Sequence, residues 1–218
     1  MSGFPRSPRL VKAGLVLIDP ESGAIQRIVS LQYNSESLTR SLKVHALDDE
    51  ADRSQALRLR GPPVETFTLE AVLDATDQLE FPDANQAAVE AGLFPQIAAM
   101  ETLVYPTSAQ LRQQDSLARA GTLEIAPVET LLALFIWSRH RIVPVRVTQL
   151  SVTEEAFDPS LNPIRAKVSL GLRALSTDDL GFAHRGGGLF LAYLTAKEQL
   201  AQRAPGAALS SFGIGGLP

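Results

Sequence analysis

The residues that could carry chemistry are few and poorly placed for it. The 218-residue chain has no cysteine. That excludes disulfides, thiolate-held zinc, iron–sulfur clusters and thiol catalysis. Its histidines, His45, His140 and His184, are scattered, without the i, i+4 spacing that sets two imidazoles on one helix face around a metal. Asp74 and Asp77 have the residue type for general acid–base work, but no partner stands near them. In the string DATD they read as a turn whose carboxylates bond their own backbone. The acidic run Asp48, Asp49, Glu50 and Asp52 lacks the central glycine and distal glutamate of a calcium loop, and reads as a solvated charged loop. The glycines at 186–188 precede an apolar stretch but lack the Lys–Ser/Thr pair of a phosphate cradle, and read as a hinge. No nucleophile elbow or dinucleotide fingerprint follows a strand. The expectation is a protein with no enzymatic activity, no cofactor and no metal.

Composition narrows the classes further. With 45% hydrophobic and 20% charged residues, the chain can bury an ordinary core. Twenty basic against 24 acidic residues give a net charge of −4, too balanced for general nucleic-acid binding. There is no apolar run of about 18 residues, so no membrane span is expected. The N-terminal string MSGFPRSPRLVKAG has basic residues but no apolar core of a secretion signal, which makes the cytoplasm the expected compartment.

The elements that would position any site are mostly strands. GLVLI (14–18), a turn DPESG (19–23) and the alternating Ile25, Val29, Leu31 and Tyr33 predict a hairpin, with Arg27 reaching solvent at an edge. Phe67, Leu69, Ala71 and Leu73 share one face of a strand over 64–73. The period then changes. Pro95, Ile97, Met100, Leu103 and Val104 predict a helix ended by Pro106, and a more polar helix follows over 108–120, so 84–120 is a helical insertion between strands. Residues 128–137 are a nearly continuous apolar strand, SRHR is a turn, and 142–153 is the return strand. Its alternation slips between Val147 and Leu150, the mark of a bulge, and Pro144 places its beginning at an edge or bulge. The last strand alternates without fault from Ile164 to Ala174. Residues 176–188 read as a linker, 189–203 as one amphipathic helix, and the remainder to Pro218 as a mobile tail.

Three segments together resemble the N-terminal tube domain of contractile injection system proteins, the phage-tail-like tube-initiator and hub adaptors that often carry a LysM module. They are LQYNSESLTRSL (31–42), with Ser35 where the family has proline; FTLEAVLDATD (67–77), with Ala75 in place of a threonine; and LALFIWSRHRIVPVRVTQLSVTEEAFDPSLNPIRAKVSLGLRAL (132–175). The resemblance covers roughly residues 10–175. No LysM-like segment follows residue 176, so peptidoglycan binding is not carried over.

The resemblance implies a mainly β, α+β fold: a phage tail-tube-like β-barrel or sandwich over residues 1–175, with a flanking helix and a separate C-terminal helix. It implies a homo-oligomer, a hexameric ring whose neighbouring sheets continue around a lumen. Its partners would be the inner tube, the spike or hub and the baseplate of an injection particle assembled in the cytoplasm. Arg165, Lys167 and Arg173 form a positive row on the last strand, either a solvent face or a charged surface presented to another subunit or to a channel. Phe190, Tyr193, Leu194 and Leu200 approximate one face of the C-terminal helix. That face is expected to swing on the glycine hinge and dock on an adjacent layer. The competing readings are a stand-alone split barrel that binds a small ligand in its mouth, and an enzyme on such a barrel.

Overall fold

The computed structural model describes residues 11–45, 58–121 and 130–217. The acidic run at 48–52 and the first two residues of the strand expected at 128–137 lie outside them. The fold is mainly β with helices inserted and appended, as the alternation of the sequence requires. The strands are β1 (Gly14–Ile18), β2 (Ile25–Ser30), β3 (Leu38–Lys43), β4 (Val64–Asp74), β5 (Leu132–Ser138), β6 (Arg141–Glu154) and β7 (Arg165–Ala174). All pair antiparallel, in the order β2-β1-β5-β6-β7-β4-β3.

That order has two ends, β2 and β3, but they are consecutive in sequence, and the chain between them closes the sheet. β2 stays on β1 as far as Leu31, whose N–H donates to Ala13 O at 2.9 Å. The Asn34 carboxamide then takes over, accepting from Ala13 N (2.9 Å) and donating to Val11 O (2.8 Å). On the other side, β3 pairs with β4 from Leu38↔Leu69, and the residues before it hold the same track. Ser35 Oγ accepts from Glu70 N at 3.3 Å. Gln32 accepts from Asp74 N (2.9 Å) and donates to Asp74 O (2.6 Å). Residues 25–43 thus act as one long strand that leaves β1 and joins β4, with side-chain amides standing in for the ladder across the junction. The sheet is a closed barrel.

The core agrees with closure. The rings of Phe67 on β4 and Phe135 on β5 are 5.4 Å apart, although β6 and β7 lie between their strands. In a flat sheet those backbones would be roughly 14 Å apart, three strand spacings. Leu15 and Leu17 of β1, Phe67 to Leu73 on alternate positions of β4, Val143 and Val145 of β6, and Ala166 to Ala174 on alternate positions of β7 all face inward and are buried. The slip in β6 is a bulge between Val147 and Gln149. Gly171 sits opposite it, where a Cβ would approach the Gln149 Cβ to 3.1 Å and Thr148 Oγ1 to 3.2 Å, so a glycine leaves room for the extra residue.

Pro144 lies, as expected, where β6 has an edge: β5 pairs with Arg141 to Val145, and β7 joins only from Val145 onward. Pro144 is tolerated because its backbone groups turn toward β7 where that strand has just ended: its carbonyl accepts from Leu175 N at 2.8 Å, past the last rung at Val145↔Ala174. The helical insertion begins earlier than the periodicity suggests, with α1 (Thr76–Leu79), α2 (Gln86–Ala91), α3 (Phe94–Glu101) and α4 (Ser108–Arg119). Ile97 and Met100 of α3 enter the core, beside the open side of β2. Arg27 reaches from β2 to Thr102 Oγ1 (2.5 Å) at the end of α3. α4 starts on a capping box in which Thr107 and Gln110 exchange side-chain and backbone hydrogen bonds.

The region after β7 differs most from expectation. The segment read as a linker contains α5 (Thr177–Leu180) and the first turn of α6 (Arg185–Ala201), so the three glycines are helical and not a hinge. Packing is the reason. A Cβ on Gly187 would collide with the Gly181 carbonyl, and one on Gly186 with Leu180, so these glycines let α6 start in contact with α5. His184 caps it, its Nδ1 accepting from Gly186 N at 3.0 Å.

Candidate assembly surfaces

The four strands β6-β7-β4-β3 form the longest wall of the barrel. The residues that the pleat turns away from the core lie in rows across it. One row is Thr39, Thr68, Gly171 and Gln149; the next is Ser41, Thr66, Arg173 and Arg146; then come Glu70, Ser169 and Ser151, and after them Val72, Lys167 and Thr153. Half of these residues carry hydroxyls, and Val72 is the one apolar side chain larger than glycine among them. Threonine suits such a place, since it keeps the β-branched shape a strand favours without exposing hydrocarbon.

The expected positive row belongs to this face, but it is not a bare positive surface. Lys167 Nζ lies 2.6 Å from Glu155, Arg165 lies 3.8 Å from Glu155 and 4.0 Å from Asp74, and Arg173 lies 2.7 Å from Asp179. The Lys167 ammonium, with Arg165 behind it, holds the Glu155 carboxyl below its ordinary range. Asp74 is held low mainly by the hydroxyl and N–H of Thr76, the Asx turn expected of DATD, and then by Arg165. The three cations are consumed within the chain.

Both lateral edges of the wall are unpartnered among the described residues. β3 pairs with β4 alone. Glu70 and Asp74 turn their N–H groups toward the closing strand. By the alternation of an antiparallel ladder, Thr66 and Thr68 do the same, so Ser41 and Thr39 point at β4. Arg40 and Leu42 therefore direct their backbone groups at the free edge. On the far side, β5 covers β6 only from Arg141 to Val145, while β6 continues on β7 to Glu154. Among the described residues, its second half, from Arg146, has no partner on that side. Such edges template pairing with another chain unless they are blocked.

Behind the β3 edge lies a residue the sequence reading passed over. Glu65 shares the inward parity of Phe67 and Leu69 and is 3% exposed. Tyr193 OH donates to its Oε1 at 2.9 Å, Lys197 Nζ lies 2.8 Å from its Oε2, and Arg40 lies 3.7 Å from Oε1. Lys197 also sits over the Tyr193 ring, 4.2 Å from its centre. A carboxylate in register with a core face was the available signal, because an unpaired charge there would be costly.

This cluster corrects the expected docking face of the C-terminal helix. Phe190 and Tyr193 are buried in the main core, and Leu189 packs with Leu175 and Leu180 against Ile18, Leu132 and Leu134. Leu194 and Leu200 are exposed. The expected face is split, because the side chains that would have met a neighbouring layer are already taken by the barrel. A lone helix of this length is marginal in water, and it gains its stability at home.

The barrel interior bears on the ligand reading. The space left among Leu15, Leu69, Phe135, Leu170 and Leu172 is about 10 Å³. A water needs at least that much, and a small-molecule site is typically ~300 Å³ or more. Among the described residues, no group of three or more histidines, aspartates or glutamates converges on a metal position. No helix there is long and apolar enough to cross a membrane.

No protein-family model matches the chain, and no curated protein does. Among solved structures, it is similar to a chain in the tail of an empty gene transfer agent particle with C6 symmetry, at 10% identity and a TM-score of 0.30, covering 75% of this chain and 90% of that one. A chain of a native gene transfer agent virion matches at 9% identity and a TM-score of 0.28, covering 74% and 90%. Superposition at this level is too loose to establish a common fold.

Proposed function

We propose that this protein is a ring-forming structural component of a contractile injection particle, a layer between the baseplate hub or spike and the inner tube. The observation that carries the reading is a four-stranded wall whose two lateral edges are unpartnered among the described residues, built largely by the three segments that carry the resemblance. Residues 31–42 supply most of the latter part of the closing strand, 67–77 most of the strand it closes on, and 132–175 the strands β5, β6 and β7. One edge is β3 and the other is the second half of β6, so a contact between copies is head-to-tail. Head-to-tail contacts make rings when the rotation closes. Pairing β3 of one copy with β6 of the next would satisfy both edges and extend the wall around a central channel. The resemblance implies six copies.

In such a ring the hydroxyl-rich face of the wall lines the channel. Of its cations, Arg165, Lys167 and Arg173 are paired within each chain, and it offers passing cargo almost no hydrocarbon to stick to. The filled interior leaves the alternative, a split barrel with a ligand in its mouth, only clefts outside the core, such as the one of about 580 Å³ among Leu17, Leu103, Val145 and His184.

Native mass spectrometry and negative-stain imaging of the purified chain, alone and with co-encoded tube and hub proteins, test the reading. Rings with a central hole are expected. The variant Leu42→Pro removes an N–H from the free edge while leaving the β3–β4 ladder its own donors, and should yield folded monomers only. A chain that stays monomeric at all concentrations and with all co-encoded partners overturns the proposal, as do rings that Leu42→Pro leaves unchanged.

A further inference from the structure

Three elements converge on one buried carboxylate. Glu65 belongs to β4, Arg40 to β3, and Tyr193 and Lys197 to α6. The Tyr193 hydroxyl and the Arg40 guanidinium both address Glu65 Oε1, at 2.9 and 3.7 Å, while Lys197 holds Oε2 at 2.8 Å. Arg40 is also a residue whose backbone groups face the free edge. The rest of β3 has little to hold it: Thr39 to Lys43 are all exposed, and among the described residues the strand has a ladder on one side only. The Arg40 side chain, 38% exposed, reaches back to a carboxylate that is 3% exposed and fixed by two donors from α6.

We infer that α6 acts through Glu65 to hold the edge strand β3 in shape for pairing with another copy. The helix does not reach the neighbour itself. It fixes both oxygens of Glu65, and Glu65 fixes Arg40 and with it the line of the edge. With Tyr193 and Lys197 withdrawn, Arg40 and Glu65 remain a loose pair at the barrel mouth, and β3 is free to fray from β4. The chain's C-terminal part is then a positioning element for assembly through its packed state. The assembly role rests on the ring reading; the coupling between α6 and β3 does not.

Hydrogen exchange of the dilute monomeric chain separates the two. The double variant Tyr193→Phe, Lys197→Met is compared with the parent, amide by amide. The expected result is exchange of the Thr39 and Ser41 amides, the ones that point at β4, faster by about tenfold or more, the usual consequence of losing hydrogen bonds to a buried charge, with β5 and the first half of β6 unchanged. No change in β3, or an equal rise in every strand, overturns the inference. Should the double variant fail to fold, Lys197→Met alone is read in the same way: a smaller rise confined to β3 supports the coupling, and none overturns it. Because the measurement needs no ring, failure of the ring reading leaves the coupling standing, and loss of the coupling leaves the ring reading to its own test.

Discussion

The carboxamide of Gln32 takes both backbone groups of Asp74, accepting from its N–H at 2.9 Å and donating to its carbonyl at 2.6 Å. A side chain here does the work of a strand backbone, and it does so where the closing strand passes from β1 to β4. Gln32→Ala should cost about 1–3 kcal/mol, because two backbone groups at the seam lose their partner. Gln32→Glu should also destabilise, since a carboxylate keeps the acceptor for Asp74 N but sets negative charge against Asp74 O. Urea unfolding monitored by Trp137 fluorescence measures both. Stability equal to the parent in both variants would show that the seam is held elsewhere.

Neighbouring glycines of α6 should respond in opposite directions. A Cβ on Gly187 meets the Gly181 carbonyl, whereas one on Gly188 has nothing within 4 Å. Gly187→Ala should force α5 and α6 apart and lower the melting temperature. Gly188→Ala should raise stability by about 0.5–1 kcal/mol, the propensity difference in a helix. If both stabilise, the close approach of α5 and α6 is absent in solution.

Because the chain has no cysteine of its own, single thiols report on which face of the wall lines a ring. Thr68→Cys and Ser169→Cys sit on the hydroxyl-rich face, and Gln113→Cys on α4 serves as the outer control. In assembled rings, all three should react with a small maleimide, but only Gln113→Cys should react rapidly with a maleimide carrying a large polymer. Equal reaction of all three with the large reagent would place the wall on the outside.

Burial raises the Tyr193 phenol above its ordinary value of 10.0, with the Glu65 carboxylate adding to the rise and Lys197 opposing it. A raised folded-state value means that the folded protein holds this proton when the unfolded chain gives it up. The contribution is therefore complete below pH 10 and lost as pH climbs through the folded value. Tyr193→Phe should flatten this alkaline loss of stability, measured as urea midpoints from about one pH unit below an ordinary phenol to about one and a half above it. An unchanged alkaline slope would mean that another group sets it.

Period and parity in the sequence determined most of the barrel wall. The alternation of 64–73 and 164–174 set the inward faces of β4 and β7, the slip after Val147 marked the bulge, and DATD announced its own turn, because each of these is a local property of a chain whose side chains alternate across a strand. Only the tertiary structure decided how the sheet closes. Gln32 and Asn34 are ordinary polar residues in the sequence, and their bonds to Asp74, Ala13 and Val11 depend on backbones brought close by the fold. The same holds at the C-terminus. Three glycines in a row favour a hinge on local propensity, yet Gly186 and Gly187 lie in a helix because the absence of a Cβ allows α5 and α6 to touch. The charges of Arg165, Lys167 and Arg173 were legible, but their neutralisation was not, since Glu155 and Asp179 come from outside that strand. Glu65 stood in plain register with the core, and what makes it tolerable there, a tyrosine and a lysine 128 and 132 residues away, is a contact that only the packing of α6 supplies.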